Sequence, residues 1–486
     1  MHCLTHILFP LGSALASTAA KGLLLGLLLV PQLALAADWF EGFKASASDA
    51  ELHQLLYEMP KGGDLHLHIT GSIFSEWYLE QALAAKKDGY RYFTRVSINN
   101  CRDYGNNQFS GDPYLMYFKT VAAHRLSAMS ECERDEYAAL DELTDRQKAA
   151  WLDSIRLDKP FEGRNEFFET HWQRLGDLVL NPHMIADLMV RYLQASADDG
   201  LLYIEPQTLL AGYHDPAGDP INPSEAAAII NARLAKPDAQ ATGMTWRFQT
   251  AILRFLPNAE EELRQAYDFV SKTEPWVAVN MVGREDNDLG YPLRFLPTLR
   301  ELRRQYQNVH LSIHAGEVDE PNFHVRDTLL LGADRIGHGL NLITDPDTML
   351  LMRHGPYLVE INLISNLLLG YFSDLSQHPF PEYLRLGIPV ALSTDDRGMW
   401  DSTMTDEFFV AVKEFNLSWD EIKQLSRNSL RYAFLPEAEK QRLLQTYDER
   451  IAKFERTMQR QGADGLRKSQ APRRGFVCRN YQLCSP

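Results

Sequence analysis

The sequence predicts a (β/α)8 barrel of the TIM type, with a mostly helical insertion after strand one and a C-terminal helical extension. Three observations carry this prediction. Eight short apolar runs recur along the 486 residues, helical stretches separate most of them, and polar residues gather where several runs end. The runs are DLHLH (64–68), LLYIEP (201–206), TWRFQTAIL (245–253), WVAVNMV (276–282), VHLSIHA (309–315), DRIGHG (334–339), YLVEINL (357–363) and IPVALST (388–394). Most are continuous rather than alternating, as parallel strands covered on both faces are.

Between the runs lie PSEAAAIINARLA, EEELRQAYDFVSK, LRFLPTLRELRRQ, VRDTLLLG and FPEYLRLG. Those ending in Leu-Gly carry glycine where a helix C-cap belongs. Strand–helix alternation repeated eight times is the pattern of a closed parallel barrel. An open doubly wound sheet is the rival, but no G-x-G-x-x-G follows the first run.

Strands one and two are about 130 residues apart, too far for a bare loop, so an insertion spans about residues 73–195. Helical regions are expected around DPYLMYFKTVAAH and near Asn165–Leu180, with an acidic stretch from Glu131 to Asp145 between them. After strand eight an extension covers about 418–486. Ser418 and Glu421 form an S-x-x-E capping box there, and the basic end RKSQAPRRGFVCRNYQLC is expected at the surface.

Residues 1–36 contain no Asp or Glu. Lys21, the apolar run GLLLGLLLV and the A-x-A site Ala34-Leu35-Ala36 are the three parts of a secretory signal. Cleavage after Ala36 would leave residues 37–486 as a single barrel domain, exported to a periplasm or secreted. The run Gly22–Val30 is short for a membrane span, and no later segment is apolar enough for an anchor. Cys3 leaves with the leader. The other four cysteines allow three connectivities; pairing Cys101 with Cys132 and Cys478 with Cys484 is expected because it needs the least rearrangement of the chain. A net charge of −16 argues against a nucleic-acid partner, which calls for a basic face.

Chemistry enters at the strand ends. His66 and His68 close strand one, His314 and Glu317 (HAGE) strand five, His338 (IGHG) strand six, and Asp395-Asp396 (STDD) strand eight. The C-terminal ends of barrel strands build active sites, so these residues converge on one mouth. Side chains at i and i+2 point the same way, which puts His66 beside His68. Each residue alone has an ordinary reading as a core histidine or a helix cap; the constellation does not. His66, His68, His314 and Asp395 suit one Zn2+ per chain, which would lower the pKa of a bound water. His338 is then a base or electrostatic stabiliser that orients the nucleophile and takes its proton, and Glu317 a proton donor to substrate. Asp396 is expected to accept a hydrogen bond from a protonated ring nitrogen, while backbone N–H groups near Gly283 contact a heterocycle.

MPKGGDLHLH, HAGE, RIGHG, ISN (364–366) and STDD, in that order, resemble the adenosine/AMP deaminase family of zinc aminohydrolases. The leader, the long insertion and the cysteines look like its secreted branch, the adenosine deaminase-related growth factors. The resemblance runs from about Leu55 to Phe434, where LSRNSLRYAF is similar to the family's post-barrel helix. It implies hydrolysis of adenosine, or 2′-deoxyadenosine, to the inosine form and ammonia. His66, His68, His314 and Asp395 match the zinc ligands, with Asp395 and His338 among the catalytic residues. Glu317 matches the acid that protonates purine N1, Asp396 the contact to N7, and Gly283 the contact to N3. A small-molecule purine nucleoside is the implied partner, and an oligomer is left open.

Two positions depart from the family pattern. Thr70, in HITGS, stands where many members have an acidic residue that contacts the ribose 5′-hydroxyl; a neutral residue would not repel a 5′-phosphate or a bulky substituent. Asn362-Leu363 replaces the usual Cys-Pro on strand seven, which reads as a packing change. An N6- or 5′-modified adenosine, AMP or adenine is therefore the alternative substrate. An inactive binding or signalling protein would lack a ligand, acid or base, and none is missing. A barrel hydrolase with two metals would carry a bridging lysine at the end of strand four, where Asn280-Met281-Val282-Gly283 stand instead.

Overall fold

The computed structural model describes residues 39–99, 101, 116–285, 287, 289–318, 321–466 and 470–484; the expected leader lies outside them. The chain builds eight parallel strands: β1 (Gly63–His68), β2 (Tyr203–Leu209), β3 (Phe248–Leu253), β4 (Trp276–Val282), β5 (His310–Ala315), β6 (Arg335–His338), β7 (Leu358–Ile361) and β8 (Val390–Leu392). They pair in chain order, each with the next. The ring closes where Leu67 bridges Asp395: the Asp395 amide donates to the His66 carbonyl at 2.9 Å, and the His68 amide to the Asp395 carbonyl at 3.3 Å. The closing contact is thus made by the residues that carry the chemistry. The expected (β/α)8 barrel is present.

Helices cover the outside. Pro223–Leu234, Ala259–Lys272, Leu296–Gln305 and His324–Leu330 follow β2 to β5, and Trp419–Arg431 follows β8. Their apolar stripes meet the strands' outer faces, so β-strand residues such as Val279, Ile313 and Val359 are buried completely. Among the described residues no helix is long and apolar enough to cross a membrane.

The barrel interior is polar at its centre. Arg335 lies there wholly buried, donating to Glu205 at 2.5 Å and to Glu360 at 2.6 Å, with its guanidinium 3.6 Å from the centre of the Phe434 ring. Burial opposes charge on all three groups, and mutual pairing offsets that cost. Arg335 and His66 hold the Glu360 carboxyl below its ordinary range although it is buried.

The insertion carries more than helices. Tyr92–Arg95 is the middle strand of a small antiparallel sheet, flanked by Thr120–Ala122 and Tyr137–Ala139. Thr120–Ala122 falls inside the stretch read as helical from sequence. Its β-branched Thr-Val pair fits a pleated edge better than a helix, and the helix begins only at Ala123. Part of that stretch lies outside the described residues. The run Arg164–Leu180 is helical throughout, including a π-helical turn over Phe167–His171. Cys101–Cys132 and Cys478–Cys484 are disulfide-bonded.

The C-terminal tail docks rather than lying free. Arg474 pairs with Asp401 and Glu76, and its guanidinium sits 3.6 Å from the centre of the Phe74 ring. Phe476 and Val477 are fully buried. Its alternation of arginine and apolar residues is what permits that packing. Ser418 and Glu421 make the expected capping box.

Replacing Arg335 with methionine keeps the volume and leaves two carboxylates buried side by side. Arg335→Met is expected to cost about 3–5 kcal/mol in denaturant unfolding, and a cost below 1 kcal/mol would show that the centre tolerates unpaired charge.

Candidate active site

The C-terminal ends of β1, β5, β6 and β8 bring His66, His68, Glu317, His314, His338, Asp395 and Asp396 to one mouth. One side-chain atom from each of His66, His68, His314 and Asp395 lies within 4.8 Å of the other three. Asp395 Oδ1 is 3.4 Å from His66 Nε2 and 3.3 Å from His68 Nε2, while His68 Nε2 faces His314 Nε2 at 3.2 Å.

Which nitrogens hold protons follows from what stands behind the rings. Glu360 accepts from His66 Nδ1 at 2.7 Å, which turns the buried His66 Nε2 toward Asp395. Behind His314 stands a longer chain. Gln249 Nε2 donates to the Glu205 carboxylate at 3.1 Å, so its Oε1 accepts from Asn280 Nδ2 at 2.9 Å. Asn280 Oδ1 in turn accepts from His314 Nδ1 at 3.1 Å. A carboxylate only accepts, so the order cannot run backwards, and His314 Nε2 is a bare lone pair. Burial and the neighbouring imidazoles keep the His314 pKa well below its ordinary value, and burial lowers His68. Burial would also lower His66, but Asp395 and Glu360 outweigh it and hold it up at about 10. The His314 lone pair and the Nε2 atoms of His66 and His68 converge on a carboxylate oxygen, and a cation with nitrogen and oxygen ligands would take the place of the proton that His66 turns toward Asp395.

Glu317 and His338 stand beside this cluster, His338 Nε2 being 3.6 Å from Glu317 Oε2. Burial, with the charges of Asp395 and Glu285, raises the Glu317 pKa well above the carboxylate range, so it is an acid at neutral pH. The Glu317 amide donates to Glu285, which is anchored by His324 at 2.7 Å. Asp396 is raised likewise by burial and by Asp395, while Asp395 is held down by its hydrogen bonds to His66 and His68 despite burial. Toward its acid form Asp396 gains a donor beside the acceptor the sequence suggested.

Backbone geometry holds the ring of residues in place. His338 (φ 62°) and Asp395 (φ 54°) are both left-handed, a conformation that costs of order 1–3 kcal/mol each. Gly337 must lack a Cβ, because one would stand 2.7 Å from His66 Cε1; Gly71 must as well, because one would stand 1.7 Å from Asp396 Oδ1.

His68, His314, Glu317, His338, Asp395 and Asp396 line a cavity of about 230 Å3, joined by Thr70 and Gly283. Phe167, Phe168 and Trp172 of the insertion form one wall, and the Trp172 ring meets His68 edge-on. Gln207 of β2 lines the same cavity, buried with both amide atoms unpartnered. Among the described lining residues none is lysine or arginine.

Sequence reasoning named the histidines and acids at the mouth, but not Gln207 or the aromatic wall; behind the mouth it missed Glu205, Gln249, Arg335 and Glu360, and it named Asn280, Asn362 and Asn366 without their contacts. One signal was present. Glu205 in LLYIEP and Glu360 in YLVEINL are acids inside otherwise apolar strands, which a barrel tolerates only when they are paired.

Residues 137–450 match the adenosine deaminase family. The chain belongs to that family. It is 30% identical over 263 residues to an adenosine deaminase of Enterococcus faecalis, spanning 53% of this chain and 74% of the relative. To an adenosine deaminase 2 of Dictyostelium discoideum it is 25% identical over 403 residues, 79% of this chain and 71% of the relative. A zinc-bound amidohydrolase from Burkholderia ambifaria shares the fold, with a TM-score of 0.60 at 16% identity over 84% of this chain and 94% of that one. The chain is a hydrolytic deaminase of the adenosine deaminase type, and the His66, His68, His314 and Asp395 cluster fits a metal site.

In this deaminase Glu360 orients His66 by its charge. Glu360→Gln is expected to weaken metal binding about 10- to 100-fold in chelator competition; unchanged affinity would mean that His66 needs no partner behind it.

Proposed function

We propose that the chain is an exported zinc enzyme converting adenosine or 2′-deoxyadenosine to the corresponding inosine and ammonia. One observation carries the reading: Glu317, buried and pushed toward its acid form by burial and by Asp395 and Glu285, lines the same small cavity as three of four residues fit to hold a metal. Zinc held by His66, His68, His314 and Asp395 would supply an activated water at neutral pH.

The chain's own residues do the rest. Glu317 donates its proton to purine N1, which withdraws electrons from C6 and prepares it for attack. His338 orients the attacking oxygen through Nε2. Asp396, protonated, donates to N7, and the backbone at Gly283 faces N3. The ring lies between the barrel mouth and the Phe167, Phe168 and Trp172 wall, which excludes bulk water. Of the attacking water's two protons, one restores the acid form of Glu317 and the other joins the C6 amine, which leaves as ammonia.

The cavity also favours a nucleoside over a nucleotide. Gln207 and Thr70 offer uncharged hydrogen bonds to a sugar, and no cation in the described lining would neutralise a phosphate. Thr70 supports a second reading with the same chemistry, an adenosine modified at N6 or at the 5′ carbon, since no charge there repels a substituent. Export rests on the leader composition and on two disulfides, which persist in oxidising compartments.

The decisive experiment compares adenosine, 2′-deoxyadenosine, AMP, adenine and methylthioadenosine with zinc-loaded protein. Adenosine or its deoxy form is expected to react fastest and AMP slowly. Faster turnover of methylthioadenosine would favour the second reading, and no turnover of any 6-aminopurine would overturn both. Glu317→Gln cannot donate a proton and is expected to lower kcat by about 10²–10⁴ with little change in KM. Because Glu317 is raised, its acid form persists through neutral pH and is lost as pH rises. The kcat profile should therefore fall on the alkaline side.

A further inference from the structure

Behind His338, on the side away from the metal cluster, runs a file of buried polar groups that the reaction scheme does not use. The Phe380 amide donates to His378 Nδ1 at 3.1 Å. His378 Nε2 lies 3.1 Å from Asn366 Oδ1, and Asn366 Nδ2 lies 3.0 Å from His338 Nδ1. Asn362 Nδ2 adds a second approach to the same nitrogen at 3.3 Å. His378, Asn366, Asn362 and His338 are all at most 1% exposed.

The direction of this file is set at its far end. A backbone N–H can only donate, so His378 Nδ1 must be the bare nitrogen and Nε2 must carry the proton. That proton can only go to an acceptor, which fixes Asn366 with Oδ1 toward His378 and its amino group toward His338. His338 Nδ1 must then accept. Asn362 alone would not decide this, because its Oδ1 is buried without a partner and its amide could turn over at little cost. His378 is caged by the Phe372, Phe380 and Phe415 rings, and burial lowers its pKa to about 3. It therefore stays neutral and keeps its one-way polarity.

We propose that His378 and Asn366 are positioning residues that hold His338 as the tautomer with its proton on Nε2, so that His338 meets the reacting oxygen as a hydrogen-bond donor and not as a base. His338 Nε2 is buried without a partner and faces the cavity beside Glu317, where such a donor would find the reacting oxygen. The proposal reverses the proton-accepting role that the sequence suggested for His338. It also gives Asn362, one of the two departures from the family pattern, a polar contact with the site in place of a packing role. Its catalytic consequence rests on the deaminase reading; its geometry does not.

The test separates the two. In zinc-loaded protein labelled with 15N-histidine, the ring nitrogens of His338, assigned by loss of their signals in His338→Gln, report the tautomer directly. A protonated Nε2 with a bare Nδ1 is expected, and a protonated Nδ1 or a doubly protonated ring overturns the proposal whatever the substrate proves to be. His378→Leu removes the lock while keeping an apolar filling; kcat on the best substrate should fall about 10- to 100-fold, with KM and zinc content held. His378→Gln can accept from the Phe380 amide and donate to Asn366, so it should restore most of kcat. Equal loss in both variants, or a loss in KM or zinc content with kcat unchanged, would make His378 a structural residue only. If His378→Leu does not fold, the wild-type spectrum and His378→Gln still decide.

Discussion

Arg335 is the residue on which the site is built. It lies at the centre of the barrel between Glu205 and Glu360, and each carboxylate then holds a different part of the metal cluster. Glu360 fixes His66 directly, and Glu205 fixes His314 through Gln249 and Asn280. A buried cation between two acids is an expensive arrangement, and a packed apolar centre would serve stability as well. What the ionic centre supplies is polarity with one direction: acids accept, so every group between them and the imidazoles is told which way to point. The candidate ligands turn their Nε2 atoms toward one another because of the ionic centre set deeper in the barrel.

The same logic recurs on the other side of the mouth, where a backbone amide at Phe380 takes the place of the carboxylate. Both files are buried, and both end on an imidazole. Burial makes them effective, since an amide turned the wrong way would leave two donors or two acceptors facing each other without water to relieve them. Strain is spent at the same places. The left-handed backbone of His338 and Asp395 is held by the ring-closing bridge at Leu67 and by the close approach of Gly337 to His66.

The acids around the mouth divide by environment. Asp395 stays charged through two histidines, while its neighbour Asp396 and nearby Glu317 are pushed to the neutral form by burial and by that charge. One anion and two acids in a small space is the distribution a deamination needs: a ligand for the metal, and proton donors for the purine ring. The insertion supplies what the barrel lacks, an aromatic wall of Phe167, Phe168 and Trp172 beside the acids.

Much of this was legible in the chain itself. Eight apolar runs separated by helices determine a barrel, because only closure satisfies so many parallel strands buried on both faces. The fold then dictates that His66, His68, His314, His338 and Asp395, each at a strand's C-terminal end, share one mouth. The small sheet in the insertion escaped notice because Thr120–Ala122 is too short to show an alternation. The docking of the tail through Arg474 escaped for another reason: it depends on Asp401 and Glu76, far away in sequence. So did the charge states and tautomers. A histidine's proton is placed by whatever stands behind the ring, and for His66, His314 and His338 those groups come from other strands and loops. Sequence determined which residues meet; tertiary structure alone decided which of their atoms hold protons, because that depends on burial and on contacts between distant segments.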